Sequence, residues 1–127
     1  MRMSLRLVIG LIGLFNIAIG LAFMIVPDKL GAAFFLEPIG VQGLATLRAD
    51  FPGFFIGASV FALVGAWTGR TQALLVPILM LGLALFGRFV SIVIDGVTAT
   101  TIPPMVVEAV MIAVLVLGWS TSQSRQK

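Results

Sequence analysis

The sequence contains no cysteine and no histidine. Without thiols there is no disulfide and no thiol chemistry. Without imidazoles there is no ordinary zinc or haem ligation, and no Ser-His or Cys-His dyad for nucleophilic catalysis of the usual kind. Only carboxylates remain to hold a metal, and those suit hard cations, so neither a metal nor a cofactor is expected. Charge is scarce as well. Charged residues make up 10% of the 127 positions, against about 25% in soluble domains. So few polar side chains do not cover a water-soluble fold, and the 60% hydrophobic content points to lipid as the solvent for most of the chain. The net charge of +3 reflects a shortage of acids rather than a basic patch. No Lys/Arg cluster offers a row of phosphate contacts, so nucleic acid is not an expected partner. No glycine-rich phosphate loop is present, and an enzymatic role has the thinnest support of the function classes.

What the sequence has instead is long apolar runs. They predict an all-α fold: a single-domain integral membrane four-helix bundle over residues 1–127, with spans at about 5–26, 51–68, 72–94 and 103–119. The run after Arg2 and Arg6 covers about 20 residues, longer than the roughly 7–15 of a signal-peptide core, and no small-x-small cleavage site comes after it. It therefore reads as a retained first span. Asn16 is its one strongly polar residue, and an interhelical hydrogen bond is its expected role. Pro27 ends this span and Asp28 is placed to cap the next helix.

Residues 27–49 are too polar and too broken to span. A short helix through Leu36, a turn at Glu37-Pro38-Ile39-Gly40 and a second arm through Leu47 form an expected interfacial hairpin, with Phe34 and Phe35 at the lipid boundary. Asp50 ahead of Phe51-Pro52 reads as an N-cap with proline in the first turn. Gly53 and Gly57, then Gly65 and Gly69, repeat a four-residue spacing. Small residues at that spacing let helices pack closely, within the bundle or between copies in a homo-oligomer. The short link around Arg70 makes spans two and three antiparallel neighbours. Pro77 lies near the start of span three, Pro103-Pro104 opens span four, and Trp67 and Trp119 fall near span ends as interfacial anchors should.

Charge then selects a topology. With both termini on the cytoplasmic side, that side receives Arg2, Arg6, Arg70, Arg125 and Lys127 and no acid. The outer half takes Lys29, Arg48 and Arg88 with all five acids, Asp28, Glu37, Asp50, Asp95 and Glu108. This satisfies the positive-inside rule.

The same topology gathers charge at one level. Arg88 precedes Asp95 by seven residues, or about 10 Å of helix, and Glu108 lies about 6 Å beyond Pro104. Arg88 and Glu108 thus reach similar depth, and each offsets the desolvation of the other. Asp95, Asp50 and Arg48 lie above them, and Ser91, three residues after Arg88, shares the Arg88 face. A charge at bilayer depth costs roughly 2.5–3.5 kcal/mol on insertion scales, so such residues face a partner or a cavity. Four bland readings compete: snorkelling to the outer interface for Arg88, a helix cap for Asp50, a turn residue before Gly96 for Asp95, and a structural lock for the whole cluster.

The pattern Arg48-x-Asp50-x-x-Gly53-x-x-x-Gly57, then Gly87-Arg88-x-x-Ser91-x-x-x-Asp95-Gly96, then Glu108 resembles the bacterial membrane proteins of domain-of-unknown-function family 4345, which are similar in architecture to DoxX-like four-helix proteins. The resemblance covers nearly the whole chain, and Pro52 departs from the family's pattern. It implies a four-span bundle in the bacterial inner membrane with a polar site at Arg48, Asp50, Arg88, Asp95 and Glu108, and it implies no activity. The leading functional expectation is a pocket for a small amphipathic ligand such as a lipid, a quinone-like ring or a carboxylate, closed by the charged cluster. An accessory subunit of a larger membrane complex is the alternative, and a small proton-coupled transporter the third.

Overall fold

A computed structural model describes residues 1–127 and contains helices only. In chain order they are α1 (Met3–Ile25), α2 (Pro27–Ala33), α3 (Gly40–Trp67), a 3-10 turn (Thr71–Leu74), α4 (Leu75–Asp95) and α5 (Ile102–Ser124). The four long helices α1, α3, α4 and α5 are each long and apolar enough to cross a membrane. The protein is an all-α, multi-pass four-helix membrane bundle. Its many accessible leucines, valines and phenylalanines are what helices bathed in lipid should present.

Contacts group the chain into two compact units, Leu11–Val60 and Met1–Gly10 with Phe61–Lys127. In the unit Leu11–Val60 the core is aromatic. Phe23 is fully buried. Its ring lies 4.8 Å from that of Phe51, 6.0 Å from Phe55 and 5.3 Å from Phe34. Phe51 and Phe55 are four residues apart and therefore share one face of α3. Gly20 permits this approach, since a Cβ there would lie 2.6 Å from Ile56 Cγ1. Phe34 and Phe35 divide. Phe34 turns inward onto Phe23 and Phe55, whereas Phe35, 78% exposed at φ 60°, stays outside. The two phenylalanines expected to share one boundary thus differ in exposure, because the left-handed turn at Phe35 points consecutive side chains apart.

The hairpin between the first two spans is present, but its second arm is not separate from the span. α3 runs unbroken from Gly40 to Trp67 with Pro52 inside it. Asp50 is therefore a mid-helix residue, not an N-cap, and span two starts about ten residues before position 51. A proline inside a helix removes one hydrogen bond; here it is fully buried, and helices in membranes tolerate it when local packing compensates. Asp28 likewise falls in the first turn of α2, and the residue at the cap is Val26.

In the other unit, Leu74 is the wedge. It is fully buried. A Cβ on Gly65 would lie 2.6 Å from Leu74 Cγ, and one on Gly118 would lie 3.5 Å from Leu74 Cδ1 and 2.9 Å from Ile9 Cδ1. Gly65 therefore fills the packing role its spacing suggested, and Gly118 joins it. Gly69 does not: its φ of 74° is a turn requirement, met cheaply only by glycine. Gly53 and Gly57 do not either, since added Cβ atoms there would meet nothing within 4 Å. Trp67 and Trp119 lie at or near the C-terminal ends of α3 and α5 as expected, with the Trp67 indole against Gly10.

Candidate functional site

α4 and α5 pack on each other, joined by residues 96–101. Gly96, at φ 93°, ends α4 and lets the chain turn. This antiparallel pair carries Arg88 on α4 to Glu108 on α5, where Arg88 Nε donates to Glu108 Oε1 at 2.8 Å. The match in depth follows from the rise of about 1.5 Å per residue on either side of the turn. The pair is uneven. The Arg88 side chain is 40% accessible and Glu108 only 13%. Glu108 Oε2 is buried without a hydrogen-bond partner, and the Nη groups of Arg88 make no hydrogen bond within the protein. One carboxylate oxygen is thus unsatisfied next to a guanidinium with donors to spare. A buried unsatisfied acceptor costs about 1–3 kcal/mol, which a ligand carrying a donor would recover.

Ser91 and Asp95 form a second pair on the same helix. Ser91 Oγ donates to Asp95 Oδ2 at 2.8 Å, and both residues are exposed. At three and seven residues from Arg88 they continue its face of α4. They lie toward the helix end, with Asp95 about 10 Å beyond Arg88. The face therefore grades from an ion pair at depth to a hydroxyl–carboxylate pair at the rim.

Of the residues expected to cluster, Arg88, Ser91, Asp95 and Glu108 belong to the unit Met1–Gly10 with Phe61–Lys127, and Arg48 and Asp50 belong to the unit Leu11–Val60. Arg88–Glu108 is the one ion pair. Within the unit Leu11–Val60, Arg48 Nη1 donates to the backbone carbonyl of Met24. The break at Val26 and Pro27 leaves the last carbonyls of α1 without amide partners, and the helix C-terminus carries partial negative charge. A guanidinium satisfies both conditions, so Arg48 acts as a cap for α1. Asp50 is exposed and makes no ion pair; two residues from Arg48, it lies about 200° around α3. Asp95 is engaged by Ser91.

Other hydroxyls are silent. Ser59, Thr68, Thr121 and Ser122 donate to carbonyls three or four residues back, the usual way for a helix to hide them. Asn16 Nδ2 donates to the Ile12 carbonyl of its own helix, and this is not its only interaction. Sequence reasoning missed the capping role of Arg48 and the aromatic core around Phe23. The i,i+4 spacing of Phe51 and Phe55 was the available signal for the second.

No protein-family model, no curated protein and no solved structure matches this chain.

Proposed function

We propose that this protein is a small bacterial inner-membrane protein that binds an amphipathic molecule at the Arg88–Glu108 pair, with both termini cytoplasmic. The observation that carries the reading is the buried, unpartnered Glu108 Oε2 next to the half-accessible Arg88. A ligand suited to it presents a hydrogen-bond donor to Glu108 and an acceptor to the Arg88 fork, on a body apolar enough to lie among the accessible side chains of α4 and α5. A protonated carboxylic acid, a quinol-like ring or a hydroxyl-bearing lipid meets that description. The Ser91–Asp95 pair, at the rim of the same face, selects for a polar end rather than a wholly apolar guest. The cytoplasmic placement of the termini rests on Arg2, Arg6, Arg70, Arg125 and Lys127 lying on the side that has no acid. The resemblance to domain-of-unknown-function family 4345 agrees with the architecture and adds no activity.

The test is native mass spectrometry of protein released gently from its own membrane. A bound small molecule that is lost in Arg88→Gln supports the reading, and a molecule retained at equal occupancy in that variant refutes it.

A second reading, a subunit docking on a partner helix or on another copy, is favoured by one observation. Gly53 and Gly57 have open space where a close helix contact was expected. Replacing both by leucine would then dissociate the assembly and leave ligand occupancy at Arg88 untouched.

A further inference from the structure

The end of this same unit remote from Glu108 carries a different constellation. The first turns of α1, the end of α3 with the link before α4, and the C-terminal end of α5 line a half-open cavity of about 190 Å³. Arg6, Arg125, Thr71 and Ser122 are among its lining residues, and the Met1 amine stands at it. Every formal charge there is positive. The nearest acid along α5 is Glu108, seventeen residues before Arg125, or about 25 Å of helix, and it is committed to Arg88. The other acid of this unit, Asp95, closes α4 at the opposite end.

One donor there is also unanswered: Arg6 Nε is buried and has no acceptor. Thr71 is a largely buried residue on the cavity wall. Arg6 is the one lining residue with a buried side-chain donor that lacks a partner. Ser122 is different, because its proton already goes to the Gly118 carbonyl. The amine of Met1 is pushed below its usual range, first by loss of solvent and then by repulsion from Arg125 and Arg6. Like charges gathered around the unpartnered Arg6 Nε raise the energy of an empty site, and an anion relieves both terms at once.

We infer that this basin binds a phosphate-bearing anion, with Arg6 and Arg125 gripping the phosphoryl oxygens and Thr71 donating from its hydroxyl. Two arginines suit phosphate because their forks match its oxygens. Size limits the guest. Pockets for drug-sized molecules run about 300–1,000 Å³, so this basin holds a headgroup and not a whole cofactor. Basic pockets between helices on the cytoplasmic side are where anionic headgroups collect, and the charge distribution assigns this end to that side. A phospholipid headgroup and a free phosphate share the chemistry, and experiment separates them. The site is independent of the Arg88–Glu108 reading and shares no residue with it.

The experiment uses the full chain in neutral detergent. It is titrated with phosphatidylglycerol and phosphatidylcholine by native mass spectrometry, and with inorganic phosphate by calorimetry. Wild type is compared with Arg6→Gln, Arg125→Gln and Lys127→Gln. Arg125 is exposed at the end of α5, so its replacement leaves the fold intact. Lys127→Gln removes the same charge without touching the basin. Losing one charge-assisted contact should weaken binding by about tenfold or more in Arg6→Gln and in Arg125→Gln, with Lys127→Gln close to wild type. Preference for phosphatidylglycerol with no phosphate binding identifies a headgroup site; phosphate binding blocked by Arg125→Gln identifies a soluble anion. Either outcome supports the proposal. It is overturned if neither probe binds, if phosphatidylcholine binds equally well, or if Lys127→Gln costs as much as Arg125→Gln, which would reduce the effect to net charge.

Discussion

Removing Arg88 should cost more than removing Glu108, and removing both should cost least. In Arg88→Met the Glu108 carboxylate, only 13% accessible, is left with two unpartnered oxygens. Breaking a fully buried pair from one side costs about 3–5 kcal/mol, whereas a surface pair is worth about 0–1 kcal/mol. Because Arg88 is 40% accessible, its loss falls between these limits, at about 2 kcal/mol. Glu108→Met leaves a guanidinium that retains its access to the surroundings, and about 1 kcal/mol is expected. Arg88→Met/Glu108→Met leaves no orphan charge and should lie within about 1 kcal/mol of wild type. The coupling energy is then about 2–3 kcal/mol, well outside the few tenths typical of independent sites. Reversible unfolding in mixed micelles, tracked by far-UV circular dichroism, gives the four stabilities of the cycle. Additive single effects, or an Arg88→Met variant no weaker than Glu108→Met, would refute the reasoning.

The glycines supply a contrast. Gly65→Ala drives a methyl to within 2.6 Å of Leu74 and should lose about 1–3 kcal/mol. Gly53→Ala meets open space and should be neutral or stabilising by up to about 1 kcal/mol; thermal unfolding of the two variants side by side checks the pair. Phe23→Ala empties the centre of the aromatic core and should cost about 3–5 kcal/mol, read as a lowered melting temperature. Arg48→Met frees the Met24 carbonyl and should cost about 1–2 kcal/mol. Faster hydrogen exchange is then expected through the last turn of α1, with no change in ligand occupancy at Arg88.

The spans are legible because bilayer thickness sets helix length and hydropathy marks it. The Arg88–Glu108 pair is legible for a related reason. Once α4 and α5 are antiparallel, counting residues from the turn at Gly96 fixes relative depth. What stays hidden in the sequence depends on tertiary neighbours. Asp50-Phe51-Pro52 has every local mark of a helix start, yet Pro52 is buried inside α3, and no local rule separates the two cases. The contact of Arg48 with the Met24 carbonyl is not legible, because a backbone carbonyl carries no residue identity to search for. Among the glycines, spacing alone does not say which face of a helix meets a neighbour. Gly65 meets Leu74, Gly69 serves a turn, and Gly53 and Gly57 meet nothing.

The most direct test of ligand binding at the ion pair is the charge swap Arg88→Glu/Glu108→Arg. The swap restores an ion pair of opposite polarity on the same two helices, so stability should return to within about 1 kcal/mol of wild type. A ligand that donates to Glu108 and accepts from Arg88 meets the opposite pattern in that variant. The expected result is a folded protein that has lost its small molecule in native mass spectrometry. A folded swap that carries the same molecule at wild-type occupancy would contradict ligand binding there and leave the pair as a structural lock between α4 and α5.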